Sequence, residues 1–349
     1  MIKTIPEYPF YVRLPLILLS LYLVLYGIYV GQGILLPIAF SFLFAVLLQP
    51  VVQFFMRLKF PKVPAIIVAL VLAIFLIYVL ISFISIQMKS VVSDIPAVKN
   101  NLLGLWHQCQ TWLWNTFKLN YARQDEMVQN AKDKTMNTLG SAGTFNVITA
   151  SLATVTLIPI YIFLFLFYRP LLIGFIVDVF DKSREKEVRV IVREIRIVVQ
   201  HYVIGIMTET SIVAALNVTG LLILGAPYAI LLGVVGAIFN MVPYIGGIIQ
   251  LLLTALIVFT NTASVTKATG AIIILVAVQL IDNNFLVPHI IGSRVKLNAL
   301  ISLIGVFIGG GLCGIGGMFL SIPILAICKV IFDRVEGLQP WGKLLGSEM

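Results

Sequence analysis

The chain has 349 residues, of which 60% are hydrophobic and 11% charged, with a formal net charge of +9 and a mean hydropathy of +1.05. Soluble globular domains are about 45–50% apolar and about 25% charged, so these values exclude a soluble enzyme, a disordered chain and a nucleic-acid-binding domain. The basic residues sit between long uncharged runs, where the positive-inside rule puts them in a multi-pass membrane protein.

A spanning helix needs about 20 mostly apolar residues. Leu14 to Met56 carries no charge, and Gly31-Gln32-Gly33 interrupts it near the middle, predicting two spans over 12–30 and 34–56 joined by a tight turn. The apolar stretch from Leu14 is longer than a signal-peptide core, so the N-terminus reads as a span. Arg57, Lys59 and Lys62 follow, with Pro61 and Pro64 marking a turn, and Val63 to Met88 is a third uncharged run. Residues 89–148 form a polar insertion with Val98, Leu102, Leu105, Cys109 and Trp112 at helical spacing, and Trp106 and Trp114 nearby. It reads as an extracytoplasmic helical hairpin, because an aromatic stripe is usually packing or an interfacial belt. A fourth span follows near 149–168.

Residues 184–200 read as an amphipathic helix. Val188, Ile191, Val192, Ile195, Val198 and Val199 line one face, with Arg189, Arg193 and Arg196 opposite. Glu185, four residues before Arg189, makes a favourable helical pair. A position on the cytoplasmic membrane surface follows, with the basic side meeting anionic headgroups. With the N-terminus inside, Lys3, Arg13, Arg57, Lys59, Lys62, Arg169 and this Arg-rich segment all fall on the cytoplasmic side.

The second half is less ordinary. Thr210 to Thr266 runs 57 residues without a formal charge. Span five takes 203–224, and Gly225-Ala226-Pro227 ends it. Two short pieces, 228–241 and 244–260, are broken by Pro243 and Gly246-Gly247. A piece of about 15 residues reaches roughly 22 Å, short of a bilayer core of about 30 Å. They read as a re-entrant hairpin entering from outside, although two full spans also fit. Span six, 267–287, returns the chain to the cytoplasm. Leu297 to Cys328 is again uncharged, interrupted by Gly305, Gly309, Gly310, Gly311, Gly314, Gly316 and Gly317. A second hairpin, opening to the cytoplasm, fits. Broken helices are tolerated at membrane depth only where buried or lining a cavity, which makes these segments a candidate substrate pathway. Close helix packing is the bland alternative for the glycines.

Two carboxylates stand out. Glu209 lies in span five and Asp282 near the end of span six. A charge at membrane depth costs about 2.5–3.5 kcal/mol on insertion scales, so each must face a cavity, pair, or carry a proton. The alternative for Asp282 is a hydrated position near the cytoplasmic face. Arg294 and Lys296 are its nearest possible partners in sequence, and Asn217, Asn240, Gln279, Asn283 and Asn284 can supply uncharged hydrogen bonds. Cys109, Cys313 and Cys328, and His107, His201 and His289, are too scattered for a disulfide framework or a metal site, so no cofactor is expected. No G-x-S-x-G, H-E-x-x-H or phosphate-loop pattern is present, which argues against an enzyme and against ATP-driven transport by this chain alone.

Leu224-Gly225-Ala226-Pro227-Tyr228-Ala229, Asn240-Met241-Val242-Pro243-Tyr244-Ile245-Gly246-Gly247 and Asp282-Asn283-Asn284-Phe285-Leu286-Val287-Pro288-His289-Ile290-Ile291-Gly292 follow in order. With the Gly-rich run and Pro323, they resemble the AI-2E transporter family, the autoinducer-2 exporter-like or PerM-like permeases. Pro37 and Gln49-Pro50 in span two match its layout. The family often has Glu where this chain has Asp282, so the carboxylate is kept with a shorter reach. Glu209 matches no family motif. The resemblance implies a bacterial inner-membrane exporter of small solutes, with autoinducer-2 as the named substrate. It also implies a homo-oligomer, a pentamer, whose hairpins move elevator-fashion; some members resemble Na⁺(Li⁺)/H⁺ antiporters.

The expectation is therefore an all-α integral membrane protein of about six full spans plus two broken hairpins, counted as seven or eight spans by hydropathy. Its parts are 1–88, 89–148, 149–200, a transport core at 201–332 and a cytoplasmic tail at 333–349. A pathway between the hairpin tips would use Pro243, Tyr244, Gly246, Gly247, Asp282, Asn283, Gly309, Gly310, Gly311, Gly314, Gly316 and Gly317, with Asp282 and Glu209 as candidate coupling carboxylates. The partners expected are the lipid bilayer and a small polar solute or a monovalent cation or proton, with no nucleic acid. The alternatives to solute export are a Na⁺(Li⁺)/H⁺ antiporter and a non-transporting envelope scaffold acting through 89–148.

Overall fold

The computed structural model describes residues 9–93, 156–243, 245–292 and 297–346. The described chain is helical, its only β-type pairing being an isolated bridge between Leu297 and Gly346. Among the described residues, six helices are long and apolar enough to cross a membrane, or seven if one bent pair counts as a span. The 89–148 insertion lies outside the described residues apart from the end of the third span, which continues to Ser93.

Helix α1 spans Phe10–Arg57, 48 residues without interruption. The turn expected at Gly31-Gln32-Gly33 is absent: neither glycine has positive φ. An unfavourable helix residue such as glycine costs only about 1 kcal/mol relative to alanine, and no turn chemistry accompanies these two. The two spans drawn over 12–30 and 34–56 are one helix. Its first half is apolar all round and exposed, as Leu18, Tyr22 and Val30 show, the pattern of a helix facing lipid. Its second half packs on α2 (Lys62–Ser93) and α3 (Thr156–Phe167) through Ala45, Val52, Ala65, Ile66, Ala69, Ile162 and Leu166.

The end of α3 is tied to the start of α2. Lys62 Nζ donates to the Phe167 carbonyl at 2.7 Å and stands 5.0 Å from the centre of the Phe167 ring. Arg169 follows Phe167 by two residues, so this contact places the basic 57–62 turn and the start of α4 at one end of the bundle. At Tyr168 the chain bends by 65° into α4 (Arg169–Val179). Pro170 explains the bend, because it lacks an N–H and restricts the residue before it.

Helix α5 runs from Glu185 to Ile223. The surface helix expected over 184–200 and span five are therefore a single element. Nothing between them breaks a helix, and the apolar face of the amphipathic part is used for protein packing. Val199 is buried beside Leu43, Tyr202, Val203, Ile206 and Leu320, with Ile195 against the same cluster. At the bundle end Arg334 pairs with Glu194.

The first hairpin is α6 (Ala229–Asn240) and α7 (Ile245–Thr262), joined by a short break at Met241–Pro243. Tyr244 lies outside the described residues. Gly246 belongs to the first turn of α7 and permits the tight return: a Cβ there would lie 1.7 Å from the Phe239 carbonyl oxygen. Helix α8 (Val265–Ile281) continues as a π-helix over Asp282–Gly292. Wide π-turns are rare and frequent at functional sites. Pro288 lies inside it and cannot donate the backbone bond of a regular helix.

The second hairpin is α9, Ala299–Arg334, which folds back at Cys313 (φ −134°, ψ 20°) and Gly314 (φ 59°, ψ −149°). Gly314 supplies a left-handed conformation that an L side chain rarely adopts. The arms lie antiparallel. Ser321 Oγ donates to the Gly305 carbonyl at 2.9 Å, and a Cβ on Gly317 would meet the Gly309 carbonyl oxygen at 2.0 Å. A short α10 (Gln339–Leu345) packs against the base of this hairpin, with the Asn298 N–H donating to the Leu345 carbonyl at 2.8 Å.

Candidate functional site

Four elements converge on a cavity of about 660 Å³. Helix α5 contributes Tyr202, Ile206 and Glu209. The tip of the first hairpin contributes Asn240, Met241 and Pro243, followed by Gly247 and Gln250 from α7. Gln279, Asp282 and Asn283 come from α8 and its π-helical extension, and Leu297, Ala299 and Ser302 from the base of the second hairpin.

The polar centre of this cavity is a pair of carboxyl groups bridged by one amide. Asn240 Nδ2 donates to Asp282 Oδ2 at 2.9 Å and to Glu209 Oε1 at 3.3 Å. Gln279 Nε2 donates to Asp282 Oδ2 at 3.4 Å and to Asn283 Oδ1 at 3.2 Å. Glu209 is 4% exposed and Asp282 2%. Asp282 is thus buried, not hydrated at a membrane face. Arg294 and Lys296 lie outside the described residues, and among the described residues no cation pairs with either carboxylate. Asp282 Oδ1 and Gln250 Nε2 are buried without a hydrogen-bond partner. An acceptor and a donor left over in one cavity are open valences for a ligand.

Asp282 reaches this centre because it heads the π-helix, where the widened turn re-aims successive side chains. Glu209 reaches it because it lies about two helical turns beyond Tyr202 and three residues beyond Ile206, on the same buried face of α5. Asn240 is the last residue of α6, so its amide stands at the break in the hairpin. A Cβ on Gly247 would lie 2.8 Å from Gln279 Oε1, so a side chain there would push the Gln279 amide out of its place beside Asp282.

Of the residues singled out in the sequence, Glu209, Asn240, Pro243, Gly247, Gln279, Asp282 and Asn283 line the cavity. Gly246 lies behind it, against Phe239. The glycines of the second hairpin do not line it. The tip of one hairpin lies beside the base of the other, so the two tips do not meet. Gly309 and Gly317 hold the two arms of the second hairpin together, and Gly316 faces Leu36 and Phe40 of α1. Gly310 meets only the end of Met318, and Gly311 faces open space. Asn217 is buried with both amide atoms unpartnered, but away from the cavity, and Asn284 turns back to the Leu280 carbonyl. Tyr202, Gln250 and Ser302 were not anticipated. Gln250 and Thr254, four apart and both buried in an otherwise apolar α7, form a polar stripe that reads as an inward face. Among the described residues, no group of three His, Cys, Asp or Glu side chains is arranged to hold a metal ion.

The AI-2E family transporter profile matches residues 18–337. The chain belongs to the AI-2E transporter family. It is similar to YueF of Bacillus subtilis (26% identical, 76% of each chain) and to YhhT of Escherichia coli (23% identical, 94% of this chain and 93% of YhhT), both described only provisionally as transport proteins. It is also similar to TqsA of Escherichia coli, an AI-2 transport protein, at 21% identity over 96% of each chain. These names indicate transport across a membrane and not catalysis.

Proposed function

We propose that this AI-2E family member is a secondary transporter that moves a small polar solute through the cavity at the tip of the first hairpin, coupled to a proton or a monovalent cation. The bridged carboxyl pair carries the proposal. Two buried negative charges sharing one amide, with no cationic partner among the described residues, are unfavourable unless a positive charge joins them. A proton or a small cation is the species that fits. Binding and release of that charge at a broken hairpin gives a transporter its coupling step.

Asp282 is the principal coupling group, held by Asn240 and Gln279, and Glu209 shares its charge. Pro243 and Gly247 leave backbone and space for the polar oxygens of a solute. The autoinducer-2-like substrate rests on the name of TqsA. Export in a bacterial inner membrane, the homo-oligomer and the elevator-like movement rest on family resemblance. A cytoplasmic C-terminus is supported by the basic end of the bundle, where Lys62 meets Phe167 and Arg334 meets Glu194. Because α1 is one helix from Phe10 to Arg57, its N-terminal end lies away from that basic end. The expected cytoplasmic position of the N-terminus thereby loses the two-span layout it rested on. A second reading, a Na⁺(Li⁺)/H⁺ antiporter, is favoured by the same oxygen-rich pair.

The test is flux in proteoliposomes with and without an imposed pH gradient, using autoinducer-2 beside Na⁺ and Li⁺. Saturable autoinducer-2 movement that responds to the gradient supports solute transport. Cation-dependent proton movement without solute flux supports the antiporter. Absence of all three overturns both readings.

A further inference from the structure

A second cavity, of about 840 Å³, opens between α1, α3, α4 and α5, away from the carboxyl pair. Its composition is unusual: four arginines, Arg169, Arg189, Arg193 and Arg196, share it with an otherwise almost wholly apolar wall. The sequence placed three of these arginines on the outer face of an amphipathic helix. In the fold they turn toward Arg169 across the bend at Tyr168.

Two observations show that the site is built for an acceptor. Gln49 is 4% exposed and lines the cavity from α1, yet its Nε2 donor has no partner. Arg196 Nε is likewise buried without a partner. Buried donors left unsatisfied are rare in native proteins and costly. Of the four cations, only Arg189 has an ion pair among the described residues, to Glu185 at 2.9 Å. Glu194, the other acidic side chain in this part of α5 with a partner, is taken by Arg334. Arg169 and Arg196 are near enough for their positive charges to oppose each other, an arrangement that an anion between them relieves.

The ligand's chemistry follows. Converging guanidinium groups and an amide donor match phosphate oxygens, which arginine binds through paired hydrogen bonds. The apolar wall, including Phe42 from α1 and Leu172 and Ile176 from α4, has no use for a water-soluble phosphate. It matches an acyl chain. The site also stands at the basic end of the bundle, next to the Lys62–Phe167 contact, where headgroups of an anionic leaflet lie. We infer that this cavity is a specific binding site for an anionic phospholipid, its phosphodiester held by Gln49, Arg169 and Arg196, with Arg189 and Arg193 at the rim.

Native mass spectrometry of the full-length protein in detergent, titrated with phosphatidylglycerol or phosphatidylcholine, tests this. Both lipids offer a phosphodiester, but the choline cation of phosphatidylcholine meets four guanidinium groups and is repelled. The wild type is therefore expected to retain one phosphatidylglycerol per chain with at least about tenfold preference over phosphatidylcholine. R169Q/R196Q is expected to lose that preference, and Gln49→Leu to weaken it several-fold. Should the double variant fail to fold, Gln49→Leu and R193Q alone decide the matter. R193K, which keeps the charge, is expected to retain more of the preference than R193Q. Equal binding of the two lipids by the wild type, or an undiminished preference in Gln49→Leu and R193Q, overturns the inference. Displacement of the bound lipid by millimolar inorganic phosphate assigns the site to a soluble phosphate and overturns it equally.

Discussion

The seam of the second hairpin makes a sharp test, because one methyl group added at two adjacent positions should have opposite effects. In Gly317→Ala the new Cβ would lie 2.0 Å from the Gly309 carbonyl oxygen and 2.8 Å from its carbonyl carbon. Both are backbone atoms of the facing arm and cannot swing aside. Restoring an ordinary contact of 3.4 Å moves the arms apart by about 1.4 Å. That movement strains the Ser321–Gly305 hydrogen bond of 2.9 Å across the seam. Overpacking of this kind costs about 1–3 kcal/mol, and the hydrogen bond about 1 kcal/mol more. The better helix propensity of alanine returns up to about 1 kcal/mol. In Gly316→Ala the nearest atoms, on Leu36 and Phe40, are 3.4 Å away, so only the propensity gain remains. The two variants should differ by about 2–4 kcal/mol, with Gly317→Ala below the wild type and Gly316→Ala at or above it. Thermal unfolding of the purified proteins in detergent reads this directly. Equal midpoints, or a lower midpoint for Gly316→Ala, would refute the hairpin geometry.

Other consequences concern the cavity. Asn240→Leu removes the donor shared by Glu209 and Asp282; each lost bond to an ionised carboxylate is worth about 1.5–3 kcal/mol. Transport should fall at least about tenfold while membrane insertion persists, measured as flux per reconstituted protein; unchanged flux would remove the bridge from the mechanism. Gly246→Ala should destabilise the protein by about 2 kcal/mol or more, because its Cβ would sit 1.7 Å from the Phe239 oxygen. A midpoint matching the wild type would count against the tight return of the first hairpin.

Much of this fold was legible in the sequence. Long uncharged runs located the helices, and Pro243 and the glycine cluster located both breaks. The merged helices were not legible, because glycine is a poor helix former without being a stop signal, as Gly31 and Gly33 show. The join of 184–200 to span five was hidden for another reason. An amphipathic face looks the same whether it meets lipid or, as at Val199, a protein core. At the site, Asp282 and Glu209 stood out as isolated charges in apolar helices. Their common partner was named only as one of five possible hydrogen-bonding amides, since Asn240 lies 31 residues from Glu209 and 42 from Asp282, and only the return of the hairpin joins it to both. The glycines were misleading as pathway residues because their sequence signature is shared by substrate contacts and by close packing; Gly309 and Gly317 are packing.

The central claim is that Glu209 and Asp282 form the charge-binding centre of transport. The most direct measurement is coupled flux in proteoliposomes containing wild type, Asp282→Asn or Glu209→Gln, with proton movement and substrate movement followed together. Both variants should reconstitute, and Asp282→Asn should lose at least about tenfold of the coupled flux, with a smaller loss for Glu209→Gln. Wild-type flux in both variants, or a loss of flux matched by equal loss of inserted protein, would contradict the account.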